Sequence, residues 1–199
     1  PQVLPDPSGR WILSADLGSD RVYIHALDAE TMALGVHGEL KLRPGHGPRH
    51  LAFHPAGRIA YVVCELEPVV TVCAWNAEAG ALSEIAEVPV IPDSAQTPNY
   101  PSNPVVSPDG RFLYVGNRGR NTIAVLALGD GGRTAEPVTW VGCGGDWPRH
   151  LAAGPGDGRL YVCNERSGTV AWFEVDRRTG VPRQTGALEA PAASCVVFR

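Results

Sequence analysis

The sequence predicts an all-β protein built as a propeller from about four four-stranded units. The first observation is a recurring text. GPRHLAFHPAGRIAYVVCE at 47–65 returns as WPRHLAAGPGDGRLYVCNE at 147–165 and, more loosely, at 3–17 and 104–118. Aligned on the turn glycines Gly9, Gly57, Gly110 and Gly158, the spacings are 48, 53 and 48 residues, and an arginine follows each glycine. Self-similarity at a fixed period dictates architecture before any local pattern does. The second observation is that each unit holds short runs rich in branched and aromatic residues, of strand length. The third is dense punctuation: 23 glycines and 18 prolines fall between those runs, and no segment sustains a helical period. Little or no helix is therefore expected. Four short antiparallel strands repeated about every 50 residues describe propeller blades, with a solenoid as the alternative.

The units span about 1–48, 49–101, 102–148 and 149–192, forming one partial propeller over 1–199. In the first, RWILSAD (10–16) and DRVYIHALD (20–28) flank a Leu-Gly-Ser turn, and a more polar strand follows near 37–43. The second unit repeats this at 50–54, 59–64, 69–75 and 84–91, the third at 103–107, 111–117, 121–128 and about 137–142. The fourth has 149–153, 159–164, 168–175 and about 183–189. Ala-Ser-Cys-Val-Val-Phe at 193–198 reads as a first strand with no blade after it, so 193–199 is expected to be a terminal strand that helps close the ring. The proline-rich stretch 91–104 accounts for the longer spacing and reads either as a solvated connector or as a lip over the channel mouth.

Composition narrows the function. A net charge of -4 and a single lysine, Lys41, argue against nucleic acid as a partner. No apolar run reaches membrane-spanning length, so no membrane partner is expected. Five cysteines, odd in number and without CxxC spacing, read as reduced hydrophobes in a cytoplasmic protein, and neither metal nor cofactor is expected. Gly142–Gly145 lacks the strand-to-helix context of a nucleotide loop, and no serine sits in a nucleophile elbow.

Meander topology locates a site. The start of a unit's first strand and the end of its second lie on the same rim, and neighbouring strands are about 4.8 Å apart. Arg49 and His50 therefore share a rim with Glu65. Asn103 joins Asn117 and Arg118 there, and Arg149 and His150 join Asn164 and Glu165. Such a gathering of arginines, histidines and carboxylates around a channel suits a small anionic substrate and acid–base chemistry. On the opposite rim, Arg10, Arg58, Arg111 and Arg159 read as partners of turn carbonyls, and His54 as structural. His25 and His37 read as solvated.

The motifs DPSGRWILSADLGSDRVYIH (6–25), GPRHLAFHPAGRIAYVVCELE (47–67), SPDGRFLYVGNRGRNTIAVL (107–126) and PRHLAAGPGDGRLYVCNERSGTVAWFEVD (148–176) together resemble the lactonase family of seven-bladed β-propellers. That family includes propeller-type 6-phosphogluconolactonases and the fungal carboxy-cis,cis-muconate lactonizing enzyme. The resemblance implies a rim site of Arg49, Glu65 and Arg118; the rim topology adds His50, Asn117, Arg149, His150 and Glu165 as expected substrate binders. The resemblance also implies a histidine at the first-unit position matching Arg49, where this chain has Pro1. Seven blades against about four imply a C-terminal part of a longer protein, completed by a missing N-terminal half or by self-association. The implied function is metal-free hydrolysis of an anionic sugar lactone. Muconate cyclisation and a non-catalytic binding scaffold are the alternatives.

Overall fold

A computed structural model describes residues 2–92, 98–156 and 158–198. It contains four four-stranded antiparallel sheets, each running in chain order from its innermost to its outermost strand. Blade one is β1 (Val3–Pro5), β2 (Trp11–Asp16), β3 (Arg21–Leu27) and β4 (Leu34–Lys41); blade two is β5 (Pro48–Phe53), β6 (Ile59–Cys64), β7 (Val69–Asn76) and β8 (Ala81–Pro89). Blade three is β9 (Tyr100–Val106), β10 (Phe112–Arg118), β11 (Thr122–Gly129) and β12 (Thr134–Gly142). Blade four is β13 (Pro148–Ala153), β14 (Arg159–Asn164), β15 (Thr169–Val175) and β16 (Pro182–Glu189). A single 3-10 turn, Asp130–Gly132, interrupts the β structure among the described residues.

Alternation along the strands builds the stack. In β6 every residue is buried, because the two sides of this middle blade face different neighbours. Ala60, Val62 and Cys64 pack towards blade one with Leu13, Val22 and Ile24. Tyr61 and Val63 pack towards blade three with Leu113, Val115 and Leu126. Blades three and four close on each other through Tyr114, Ile123 and Val125 against Leu151, Leu160 and Phe173. Period-two patterning with apolar residues on both faces is what stacked sheets demand.

The inner hairpin turns are held locally. Gly57 and Gly110 take φ of +72° and +71°, where a side chain would be strained. A Cβ on Gly110 would also stand 2.6 Å from the His54 ring, which pairs with the Gly110 carbonyl at 3.0 Å. His54 is structural, and Arg10 and Arg111 bind the carbonyls of Ala77 and Arg177. His37 pairs with the Ala79 carbonyl at 2.8 Å and His25 with the Ser14 hydroxyl at 2.8 Å, so neither is merely solvated.

One expectation is corrected: residues 193–198 form no strand. A strand needs a ladder partner, and the described residues include no sheet beyond blade four for this segment to join. Of the stretch 91–104, residues 93–97 lie outside those described, while Tyr100–Val106 is β9.

The two end faces differ from the inner ones. Ile12 and Tyr23 of blade one are only half-buried, whereas Ala60 and Thr71 at the same positions of blade two are enclosed. Apolar faces that lack a neighbour drive association. The 199-residue segment expressed alone is expected to self-associate in analytical ultracentrifugation; a monodisperse monomer that melts cooperatively would contradict this.

Candidate active site at the channel rim

The first and second strands of adjacent blades bring the site together. Arg49 is the second residue of β5, and Arg118 ends β10 in the next blade. Glu65, one residue beyond β6, lies between them. Its Oε2 meets Arg49 Nε at 2.8 Å and its Oε1 meets Arg118 Nη2 at 3.1 Å. Some of their other donors are anchored to backbone. Arg118 Nε donates to Tyr100 O and its Nη2 to Pro101 O, both at 2.9 Å, while Arg49 Nη1 donates to Ser102 O at 2.9 Å. Arg49 Nη1 also reaches His50 Nδ1 at 2.6 Å. Two guanidiniums thus flank one carboxylate at the rim where β5 starts and β6 and β10 end.

Burial of Arg49 and the nearby Arg118 pull its pKa down to about 10, partly offset by Glu65. It remains fully charged at neutral pH. Burial, then the positive Arg49, push His50 down to about 3, and the same two causes lower His150. Both rings are therefore neutral under ordinary conditions.

A cavity of about 470 Å³ opens beside this cluster. Its polar walls come from Gln2, Arg49, His50, Asn103, Arg149 and His150, with Ser194 and Cys195 at the edge. Arg149 Nη1 meets Glu165 Oε2 at 3.2 Å. Among Arg49, Arg118, Arg149, Glu65 and Glu165, three arginines against two glutamates leave one positive charge in excess. A second cavity of about 290 Å³ near the opposite rim has Phe112, Tyr114, Leu160 and Val175 in its walls and lies apart from this cluster.

The expected site residues divide accordingly. Arg49, Glu65 and Arg118 converge; His50, Arg149 and His150 line the cavity, and Glu165 holds Arg149 from behind. Asn117 does not belong with them. It is fully buried and its carboxamide is engaged, donating to Val90 O and Thr122 Oγ1 and accepting from Asn99. Its expected role as a substrate binder is corrected to that of an internal brace. Pro1, the position of the family histidine, lies outside the described residues.

Sequence reasoning missed an aromatic shelf beside Arg118. Trp147 has φ of +67°, where blade two uses Gly47 at +61°. Its ring lies 3.4 Å from the Arg166 guanidinium, 5.7 Å from that of Arg118 and 6.1 Å from Tyr100. The signal was present: a tryptophan replacing the turn glycine before Pro-Arg-His accepts a strained backbone of about 1–2 kcal/mol. The cysteines are all free and four are buried. Among the described residues, no group of three His, Cys, Asp or Glu side chains is placed to hold a metal ion.

The histidine shifts have a stability consequence. Unfolded, His50 titrates near 6.5; folded, near 3. Between those values the unfolded chain binds a proton that the folded chain refuses, so this contribution is intact above about pH 6.5 and is lost as pH falls. Denaturation curves of the full-length polypeptide should show a shallower acid limb for His50→Gln than for wild type. An unchanged limb would contradict the burial described for this ring.

The model of the family described as lactonase, seven-bladed β-propeller, matches residues 2–198. A Bacillus subtilis protein named 6-phosphogluconolactonase is 36% identical over 193 residues, covering 96% of this chain and 55% of that protein. The solved structure of a Pseudomonas aeruginosa periplasmic gluconolactonase superposes with a TM-score of 0.89 at 28% identity, covering 97% of this chain and 55% of the other. A putative 6-phosphogluconolactonase from Bacteroides fragilis gives a TM-score of 0.87 at 26% identity, covering 98% and 56%. The chain thus spans little more than half the length of these relatives.

Proposed function

This chain belongs to the lactonase family of seven-bladed β-propellers, and from that premise we propose that its rim cavity hydrolyses a small anionic sugar lactone of the 6-phosphogluconolactone type. The observation that carries the reading is Glu65 held between Arg49 and Arg118, beside a cavity walled by further donors. The name of the Bacillus relative supports a phosphorylated sugar lactone, and that of the Pseudomonas relative supports a sugar lactone more broadly.

In this reading Arg149 and the excess positive charge hold the substrate's phosphate or carboxylate. Glu65, with lone pairs beyond those taken by the arginines, accepts a proton from the attacking water. As the carbonyl carbon becomes tetrahedral, negative charge grows on its oxygen, and Arg49 with its preorganised donors stabilises that charge. The ring C–O bond then breaks and the alkoxide takes the proton, giving the hydroxy acid. Guanidiniums supply the charge stabilisation that a cation gives in other hydrolases. Prior incubation with a chelator should therefore leave lactone turnover unchanged; a chelator-sensitive rate restored by added metal would replace this scheme.

Muconate cyclisation uses the same arginines on carboxylates, and parallel assays with muconates separate the two. Arginine and histidine on the walls, in place of a broad apolar platform, favour an enzyme over a scaffold. Completion by further blades and a cytoplasmic location complete the proposal; the buried reduced cysteines support the latter. The decisive test is steady-state hydrolysis by the full-length polypeptide, corrected for the spontaneous reaction.

A further inference from the structure

The four blades place one polar side chain at the same step of the repeat, in or just before the innermost strand: Gln2, His50, Asn103 and His150. Three of them clamp the next innermost segment through its backbone. Leu51 N–H donates to Gln2 Oε1 at 2.7 Å, Leu151 N–H to Asn103 Oδ1 at 2.8 Å and Val196 N–H to His150 Nδ1 at 3.4 Å. The repeat predicts a fourth clamp, from residue 104 to His50. Residue 104 is proline and has no N–H to give. Pro104 pairs with Val115 of β10, and Leu51 and Leu151 occupy the same register in their blades. The missing donor is the one that faces off the sheet, so the ladder loses nothing.

His50 is left with other partners: the Ser102 carbonyl accepts from the ring, a bond that an incoming acceptor can take over, and Arg49 meets its other nitrogen. Its Nδ1 lies 2.6 Å from Arg49 Nη1, and a guanidinium only donates. Nδ1 is therefore the acceptor and the ring proton sits on Nε2. The ring lines the cavity.

We propose that Pro104 is a positioning residue that releases His50 from the blade-to-blade clamp, and that the released ring serves the cavity as a neutral Nε2–H donor to an oxygen of the bound substrate. The identity of that substrate rests on the function proposed above; the clamp and the tautomer do not. Arg49 sets the tautomer, Pro104 keeps a competing backbone donor away, and burial keeps the ring neutral. A neutral imidazole can then hydrogen-bond a substrate oxygen without taking up a proton that would repel Arg49.

The test uses the full-length polypeptide labelled with 15N-histidine, together with Pro104→Leu, which restores the residue type of positions 51 and 151, His50→Gln, and the double variant. Wild-type His50 should show the Nε2–H tautomer, and its Nε2 signal should move when 6-phosphogluconate is titrated in. Pro104→Leu should keep or raise the melting temperature while KM for 6-phosphogluconolactone rises about three- to tenfold, as expected for one lost hydrogen bond. The double variant should cost no more than His50→Gln alone, because both changes remove the same contact. An Nδ1–H tautomer in wild type, additive losses, or an unchanged KM in Pro104→Leu would each overturn the inference. If Pro104→Leu does not fold, the wild-type tautomer and titration decide. If the wild type turns over no lactone, the proposed activity fails, while the tautomer and the 6-phosphogluconate titration still judge His50.

Discussion

Glu65→Gln in the full-length polypeptide is expected to lower kcat for lactone hydrolysis by roughly 10²-fold or more, the usual range for loss of a positioned base. The geometry makes this a double loss. Both carboxylate oxygens are engaged, at 2.8 Å with Arg49 and at 3.1 Å with Arg118. Glutamine keeps the shape but offers one oxygen and no charge, leaving two largely buried guanidiniums facing each other. Breaking a buried ion pair by removing one partner costs about 3–5 kcal/mol, and the residual exposure of Glu65 places this case towards the lower end. The melting temperature should therefore fall along with kcat. Glu65→Asp retains the charge with a shorter reach, so it should recover stability better than rate. Near-normal turnover in Glu65→Gln would remove the residue from the chemistry and leave it as an organiser of arginines.

Arg49→Lys is expected to lower kcat/KM on the order of 10²-fold, comparable to removing one donor from an oxyanion site. Arg49 spends separate nitrogens on separate partners: Nε on Glu65, and Nη1 on Ser102 O and His50 Nδ1. A lysine ammonium is a point charge on a flexible stem and cannot hold that fork. It should satisfy Glu65 and abandon His50, freeing the ring to change tautomer. Retained charge with lost geometry predicts a fall in kcat larger than the rise in KM. Full activity in Arg49→Lys would mean that charge alone suffices.

The blade repeat was legible because turn glycines, strand-length apolar runs and period-two alternation are local signals. The rim was legible for the same reason, since hairpin topology alone places Arg49, Glu65 and Arg118 at one end of the channel. What escaped depended on relations between blades. Asn117 looks like its rim neighbours in the text, yet its side chain turns inward to Val90 O and Asn99. Trp147 looks like an ordinary turn substitution until its ring is seen against Arg166 and Arg118. The terminal Ala-Ser-Cys-Val-Val-Phe has strand composition and makes no strand, because a strand is a property of a pair.

The account stands most directly on one measurement: initial rates of 6-phosphogluconolactone hydrolysis by the full-length polypeptide, corrected for spontaneous opening, with Arg49→Lys and Glu65→Gln measured alongside. Saturable acceleration that both substitutions reduce by about two orders of magnitude is the result expected from the Arg49–Glu65–Arg118 geometry. No acceleration over the spontaneous reaction, or acceleration indifferent to both substitutions, would contradict it.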